Sequence, residues 1–135
     1  MVRQLDDQVL VSGQITPADV PELKQRGVAM IINNRPDGEE PGQPLGADIE
    51  AAAQEAGIEY RYIPIQRGIG PGHIEPMREA FEESREGKIL AFCRSGSRSA
   101  LVWAVARCEQ GVPRDEVERQ AAQAGVDLTP VSHLL

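Results

Sequence analysis

Apolar positions along the chain fall into two kinds of pattern that take turns. Val28-Ala29-Met30-Ile31-Ile32 is a short unbroken apolar run, the pattern of a strand covered on both faces, and Lys88-Ile89-Leu90-Ala91-Phe92 reads as another strand. Tyr60-Arg61-Tyr62-Ile63-Pro64-Ile65 reads as a third strand. Apolar stretches from Val2 to Leu5 and Val9 to Val11, parted by Asp6-Asp7, read as a hairpin of edge strands. Between them lie segments with helical start and stop signals. Thr16-Pro17-Ala18-Asp19 opens a helix from Pro17 to Arg26 that Gly27 stops. An alanine-rich helix from Ala47 to Ala56 ends at Gly57, and one from His73 to Arg85 ends at Gly87. Ser99 to Gln110 is a strongly apolar helix, Pro113 to Ala124 a more polar one, and the tail from Val126 to Leu135 has room for one further turn.

This alternation predicts an α/β fold: a central, mainly parallel sheet with helices on both faces, and a ligand site beyond the carboxyl ends of the strands. Three loops fall at that edge: Asn33 to Pro44, Gln66 to Gly72, and Cys93 to Arg98. The 135 residues are the length of one ordinary domain and contain no repeat or linker, so residues 1–135 are expected to fold as one unit.

Composition narrows the chemistry. Fourteen basic against 21 acidic side chains give a net charge of -7, which disfavours nucleic acid and anionic lipid as partners. No window reaches the ~18 apolar residues of a membrane span, and the first residues lack a secretory signal, so a cytoplasmic protein is expected. Two cysteines without a CxxC spacing read as free thiols in a reducing compartment. Cys108 lies on an apolar helical stripe with Leu101, Ala104 and Val105 and is assigned to the core, as is Trp103. His73 reads as a helix-start residue and His133 as a surface one. With no third ligand nearby they suggest no metal site, and no cofactor is expected.

Cys93 is different. Cys93-Arg94-Ser95-Gly96-Ser97-Arg98 joins a buried strand to a helix opening at Ser99. Unpaired backbone N-H groups and the helix dipole make such a junction an anion site. Arg94 and Arg98 add charge, Gly96 permits a turn with positive φ, and Ser95 and Ser97 are small. These surroundings favour the thiolate, which reads Cys93 as a nucleophile rather than a packed small hydrophobe. Arg35, Asp37 and Glu39 on the first loop, and Arg67 on the second, are candidates for orienting the cysteine loop or meeting substrate. The alternative is a solvated turn in which Arg35 and Asp37 pair, with Arg67 a plain surface residue.

The cysteine loop with Ser99 resembles the active-site loop of rhodaneses. The chain as a whole resembles a bacterial family, the phosphatase-like domain of beta-lactamase-hydrolase-like proteins. That likeness rests on Ser12-Gly13-Gln14-Ile15-Thr16-Pro17, on Ile31-Ile32-Asn33-Asn34-Arg35-Pro36-Asp37-Gly38-Glu39 and on the cysteine loop. It implies a fold similar to dual-specificity and tyrosine phosphatases. For the reaction it implies either of two chemistries, since members are described both as phosphatases and as sulfur transferases.

Two features favour sulfur transfer. The tyrosine-phosphatase signature has five residues between cysteine and arginine, whereas four separate Cys93 from Arg98, so Ser99 falls where the phosphate-binding arginine would stand. The loop Gln66 to Gly72 also has no carboxylic acid to protonate a leaving oxygen; Asp37, Glu39 or Glu40 would have to substitute. The expected activity is therefore a rhodanese-type sulfurtransferase in which Cys93 becomes a persulfide. Its partners would be a small anionic donor, thiosulfate or a low-molecular persulfide, and a thiol acceptor. The alternative is a phosphatase acting on a phosphate ester through a phosphocysteine intermediate. A third reading is a non-catalytic anion-binding or redox-sensing module.

Overall fold

The computed structural model describes residues 2–84 and 86–135. Five strands, β1 (Arg3–Gln4), β2 (Val9–Ser12), β3 (Val28–Asn33), β4 (Glu59–Tyr62) and β5 (Lys88–Phe92), form one sheet in the order β1-β2-β5-β3-β4. β1 is antiparallel to β2; the other pairings are parallel. The helices are α1 (Val20–Gln25), α2 (Gly46–Glu55), α3 (Pro71–Glu83), α4 (Ser97–Glu109) and α5 (Arg114–Gln123), with 3-10 turns at Pro17–Asp19 and Thr129–Leu134. None of the described helices is long and apolar enough to cross a membrane.

Strand alternation divides the core in two. Leu10, Ile31, Leu90 and Phe92 face Leu23 of α1 and Ile49 and Ala53 of α2. Val9, Val11, Met30, Ile32, Ile89 and Ala91 face the opposite layer, built from α3, α4 and α5 with Met77, Phe81, Trp103 and Val117. Consecutive strand residues point to opposite faces, so a strand covered on both sides must be apolar at every position. α4 is buried nearly all round, with Ala100 and the run Val102 to Ala106 inside. Its polar anchor is Asp6 in the β1–β2 turn. That carboxylate accepts the Trp103 indole N-H (2.7 Å), Arg107 Nε (2.9 Å) and the backbone N-H groups of Gln8 and Val9 (2.8 and 2.7 Å).

Several expectations need correction. β2 is not an edge strand: all four of its residues are buried and it runs parallel to β5, leaving the edge to two-residue β1. β2 therefore delivers a fourth loop, Gly13-Gln14, to the carboxyl edge. The helix expected from Pro17 to Arg26 is a 3-10 turn followed by the six-residue α1. β4 stops at Tyr62, although Ile63 and Ile65 still donate to the carbonyls of Asn33 and Asn34 (both 2.9 Å); Pro64 between them has no N-H to give. α3 begins two residues early, at Pro71, and Arg85, the last residue expected in it, lies outside the described residues. α4 begins at Ser97, so Arg98 belongs to a helix turn and not to the loop.

Candidate active site

Cys93 leaves the end of β5 at the middle of the sheet, with no exposed surface. Its N-H reaches the Ser12 carbonyl (3.4 Å), and Asn34 N-H binds the Phe92 carbonyl (2.8 Å), so the strands on either side fix the chain just before the loop turns. The turn depends on Gly96, which caps α4 with φ 95°, a left-handed conformation strained for a residue with a Cβ. In that conformation the Gly96 N-H points back at Cys93 Sγ, 3.1 Å away. Ser95 Oγ accepts from the Ser97 N-H (3.4 Å) and meets Ser97 Oγ at 3.2 Å. Two further residues hold the loop from beneath. Gln14 N-H binds the Arg94 carbonyl (3.3 Å), and a Cβ on Gly13 would stand only 2.9 Å from that same oxygen.

Ser99 stands where a phosphatase-type spacing would put arginine. It is fully buried, and its Oγ donates to Asn34 Oδ1 at 2.7 Å. Asn34 Nδ2 in turn donates to the Ile63 carbonyl (2.9 Å), joining α4, the loop after β3 and the segment after β4.

Arg98, Arg35 and Arg94 are engaged by carboxylates. Arg98 grips Glu39 with both terminal nitrogens (2.7 and 2.9 Å) and donates to the Ile65 carbonyl (2.7 Å). Arg35, its side chain 2% exposed, donates Nε to Glu39 (2.9 Å), Nη2 to Glu40 (2.9 Å) and Nη1 to Gln14 Oε1 (3.0 Å). Arg94, 67% exposed, lies 3.5 Å from Glu40. Hydrogen bonds from Arg98, opposed by partial burial and helped by Arg35, bring the Glu39 carboxyl down to about 2. Glu40 is also lowered, first by its bond to Arg35 and then by the charge of Arg94. The Arg98 guanidinium is pushed up, chiefly by Glu39 and also by the neighbouring Cys93 sulfur.

The other candidates lie further out. Asp37 does not pair with Arg35; its Oδ1 accepts the Gly46 N-H (2.8 Å) at the start of α2. Arg67 is exposed and makes no ion pair among the described residues. With Asp37, Tyr62 and His73 it lines an open cleft of about 540 Å³. His73 Nδ1 accepts the Gly70 N-H (3.2 Å), which makes it a helix-start residue as expected. Cys108 packs against the core, where burial raises its thiol pKa, and both cysteines are free. Reasoning from sequence missed Gly13, Gln14 and Asn34 and left Glu39 and Glu40 without partners. Only the Arg35-to-Glu39 spacing, i to i+4, hinted at a pair.

Residues 1–110 match the model of a family described as the phosphatase-like domain of beta-lactamase hydrolase-like protein. The chain belongs to that family. It is 36% identical over 128 residues to a beta-lactamase hydrolase-like protein of Xylella fastidiosa, an overlap covering 92% of this chain and 29% of that protein. The chain thus spans less than a third of the length of the curated relatives it matches. A solved structure from Neisseria meningitidis, provisionally described as a phosphatase, is 36% identical, with a TM-score of 0.82 over 98% of this chain and 94% of that one. Tk-PTP in its active form superposes with a TM-score of 0.70 at 16% identity, over 98% of this chain and 92% of that one. The fold is tyrosine-phosphatase-like.

Proposed function

We propose that the chain is a sulfur transferase that carries one sulfane sulfur on Cys93. The observation that carries this reading is the state of the arginine position. Ser99 there is a buried hydroxyl committed to Asn34, and Arg98, one residue earlier, is held by Glu39 and the Ile65 carbonyl. A phosphoryl group needs a guanidinium fork on its equatorial oxygens, and neither Ser99 nor the Glu39-held Arg98 offers one. It also needs a proton donor for the leaving oxygen. The segment from Gln66 to Gly72 has no acid, and Glu39, at about 2, stays ionised at neutral pH.

Sulfur transfer asks for less. The Cys93 thiolate attacks the outer sulfur of the donor, an Sγ–S bond forms as the donor's S–S bond breaks, and the electron pair leaves with a thiolate or sulfite. An acceptor thiol then removes the outer sulfur and restores Cys93. The Gly96 N-H and the N-terminus of α4 stabilise sulfur anions in both steps.

The second reading is a phosphatase working through phosphocysteine. The family description and the Neisseria relative speak for it, and no comparison speaks for sulfur transfer. Turnover separates the two. The protein is offered thiosulfate with a thiol acceptor and, separately, an aryl phosphate; sulfite and phosphate release are followed for wild type and Cys93→Ser. Sulfite release that depends on Cys93 supports the proposal. Phosphate release that depends on Cys93, without sulfite, replaces it with the second reading, and no Cys93-dependent turnover leaves the non-catalytic module.

A further inference from the structure

Five charged side chains at the cysteine loop form one continuous network: Arg98 to Glu39, Glu39 to Arg35, Arg35 to Glu40 and Glu40 to Arg94. Three guanidinium groups against two carboxylates leave a single net positive charge, which a Cys93 thiolate cancels. Buried Arg35 directs each of its three nitrogens at a protein acceptor, Glu39, Gln14 or Glu40. The Arg98 fork, the feature that would grip an oxyanion, already holds the two oxygens of Glu39. With Glu39 ionised down to about 2, that carboxylate is a permanent internal anion in the place an external one would take.

We infer that Glu39, supported by Glu40, sets the charge class of the donor: the site takes an alkyl persulfide, with at most one charge on its sulfur pair, in preference to a dianion such as thiosulfate. The inference rests on the sulfur-transfer reading and narrows it. A dianion meets a neutral site and must displace Glu39 from Arg98 to gain a partner. A persulfide needs no oxyanion grip: the thiolate attacks R–S–SH, the Sγ–S bond forms, the S–S bond breaks and R–S⁻ departs with the electron pair. Nothing is oxidised or reduced overall. Glu39 is thus a specificity-determining residue that acts through Arg98 and touches no reacting atom.

The test compares wild type with Glu39→Gln. Second-order rates for adding one sulfur to Cys93 are measured by intact mass at fixed ionic strength, with thiosulfate and with a small alkyl persulfide. Removing one unit charge at near-contact distance in a partly hydrated site should shift the rate ratio toward thiosulfate by about tenfold or more. The persulfide reacts as uncharged R–S–SH, so its rate should change less than that of thiosulfate on the same argument. A ratio unchanged, or both rates falling together as for a residue that merely props Arg98, overturns the inference. Calorimetric binding of sulfate supplies a readout independent of sulfur chemistry, with Glu39→Gln expected to bind about tenfold tighter. Equal sulfate affinity also overturns the inference. If neither donor modifies Cys93 in wild type, the sulfur-transfer reading fails, and sulfate binding still decides the role of Glu39. Should Glu39→Gln not fold, Glu40→Gln, at the more exposed end of the network, must shift sulfate binding in the same direction or the inference falls.

Discussion

Gly13→Ala is a change of one methyl group that should damage the site from below. The added Cβ would stand 2.9 Å from the Arg94 carbonyl oxygen and 3.7 Å from Ser95 Cα. A carbon and a backbone oxygen do not share that distance, and neither belongs to a flexible side-chain end. The loop must rise or β2 must sink, and the hydrogen bond from Gln14 N-H to the same oxygen, already 3.3 Å, is lost. Overpacking of this kind costs about 1–3 kcal/mol. For a chain of this length, unfolding entropy near the midpoint is about 0.3 kcal/mol per degree, so Tm should fall by about 4–10 °C. The same displacement moves the Gly96 N-H off Cys93 Sγ, so the rate of Cys93 modification should drop by about tenfold, the scale of one misplaced charge-assisted hydrogen bond. Gly72→Ala is the matched control. Gly72 lies in the first turn of α3 with nothing within 4 Å of its would-be Cβ, so that variant should hold or gain stability, by up to about 1 kcal/mol. Thermal unfolding and intact-mass kinetics on both variants decide the matter. A Gly13→Ala protein within about 2 °C of wild type and unchanged in Cys93 kinetics would refute the proposed contact between β2 and the cysteine loop.

Other perturbations have equally definite outcomes. Asp6→Ala leaves the buried Trp103 indole without its acceptor and frees the β1–β2 turn, and should cost about 2–4 kcal/mol in urea unfolding, with Arg107 retaining Gln8 and Gln110. Ser99→Ala removes the buried bond to Asn34 and should cost about 1–3 kcal/mol by the same measurement. Acid should weaken the fold through Glu39. Its folded pKa, about 2, lies below its ordinary 4.5, so the folded state binds fewer protons than the unfolded chain between those values. This stabilisation is full above about pH 4.5 and is lost as pH falls toward 2; allowing for solvent screening it amounts to about 1–2 kcal/mol. Urea midpoints from pH 6 to pH 3 should record it in wild type, and a Glu39→Gln protein with the same pH dependence would exclude Glu39 as the source.

The parts of the fold that follow local rules were legible in the sequence. The unbroken run in β3 announced a strand covered on both faces, and a cysteine between β5 and a helix, followed by Gly96, announced a tight turn with positive φ. The sheet position of β2 was not legible, because four apolar residues after a turn fit an edge or an interior strand equally well. The partners of the site's charges were not legible for a related reason. Glu39 and Arg98 are 59 positions apart, and Ser99 and Asn34 are 65 apart, so their pairing depends on the path of the long loop after β3. Read alone, the two arginines of the cysteine loop add positive charge; folded, they share a network with Arg35, Glu39 and Glu40. Gly13 carried no signal either, since its demand is for empty space beside a backbone atom distant in sequence.

One measurement decides which group Cys93 accepts. Wild-type protein is incubated with an alkyl persulfide and, in a parallel sample, with an aryl phosphate, and each is analysed by intact mass with peptide localisation of any adduct. A sulfur transferase should show one added sulfur on Cys93, removed by a thiol acceptor, and no phosphoryl adduct. A phosphorylated Cys93 with no persulfide would contradict sulfur transfer.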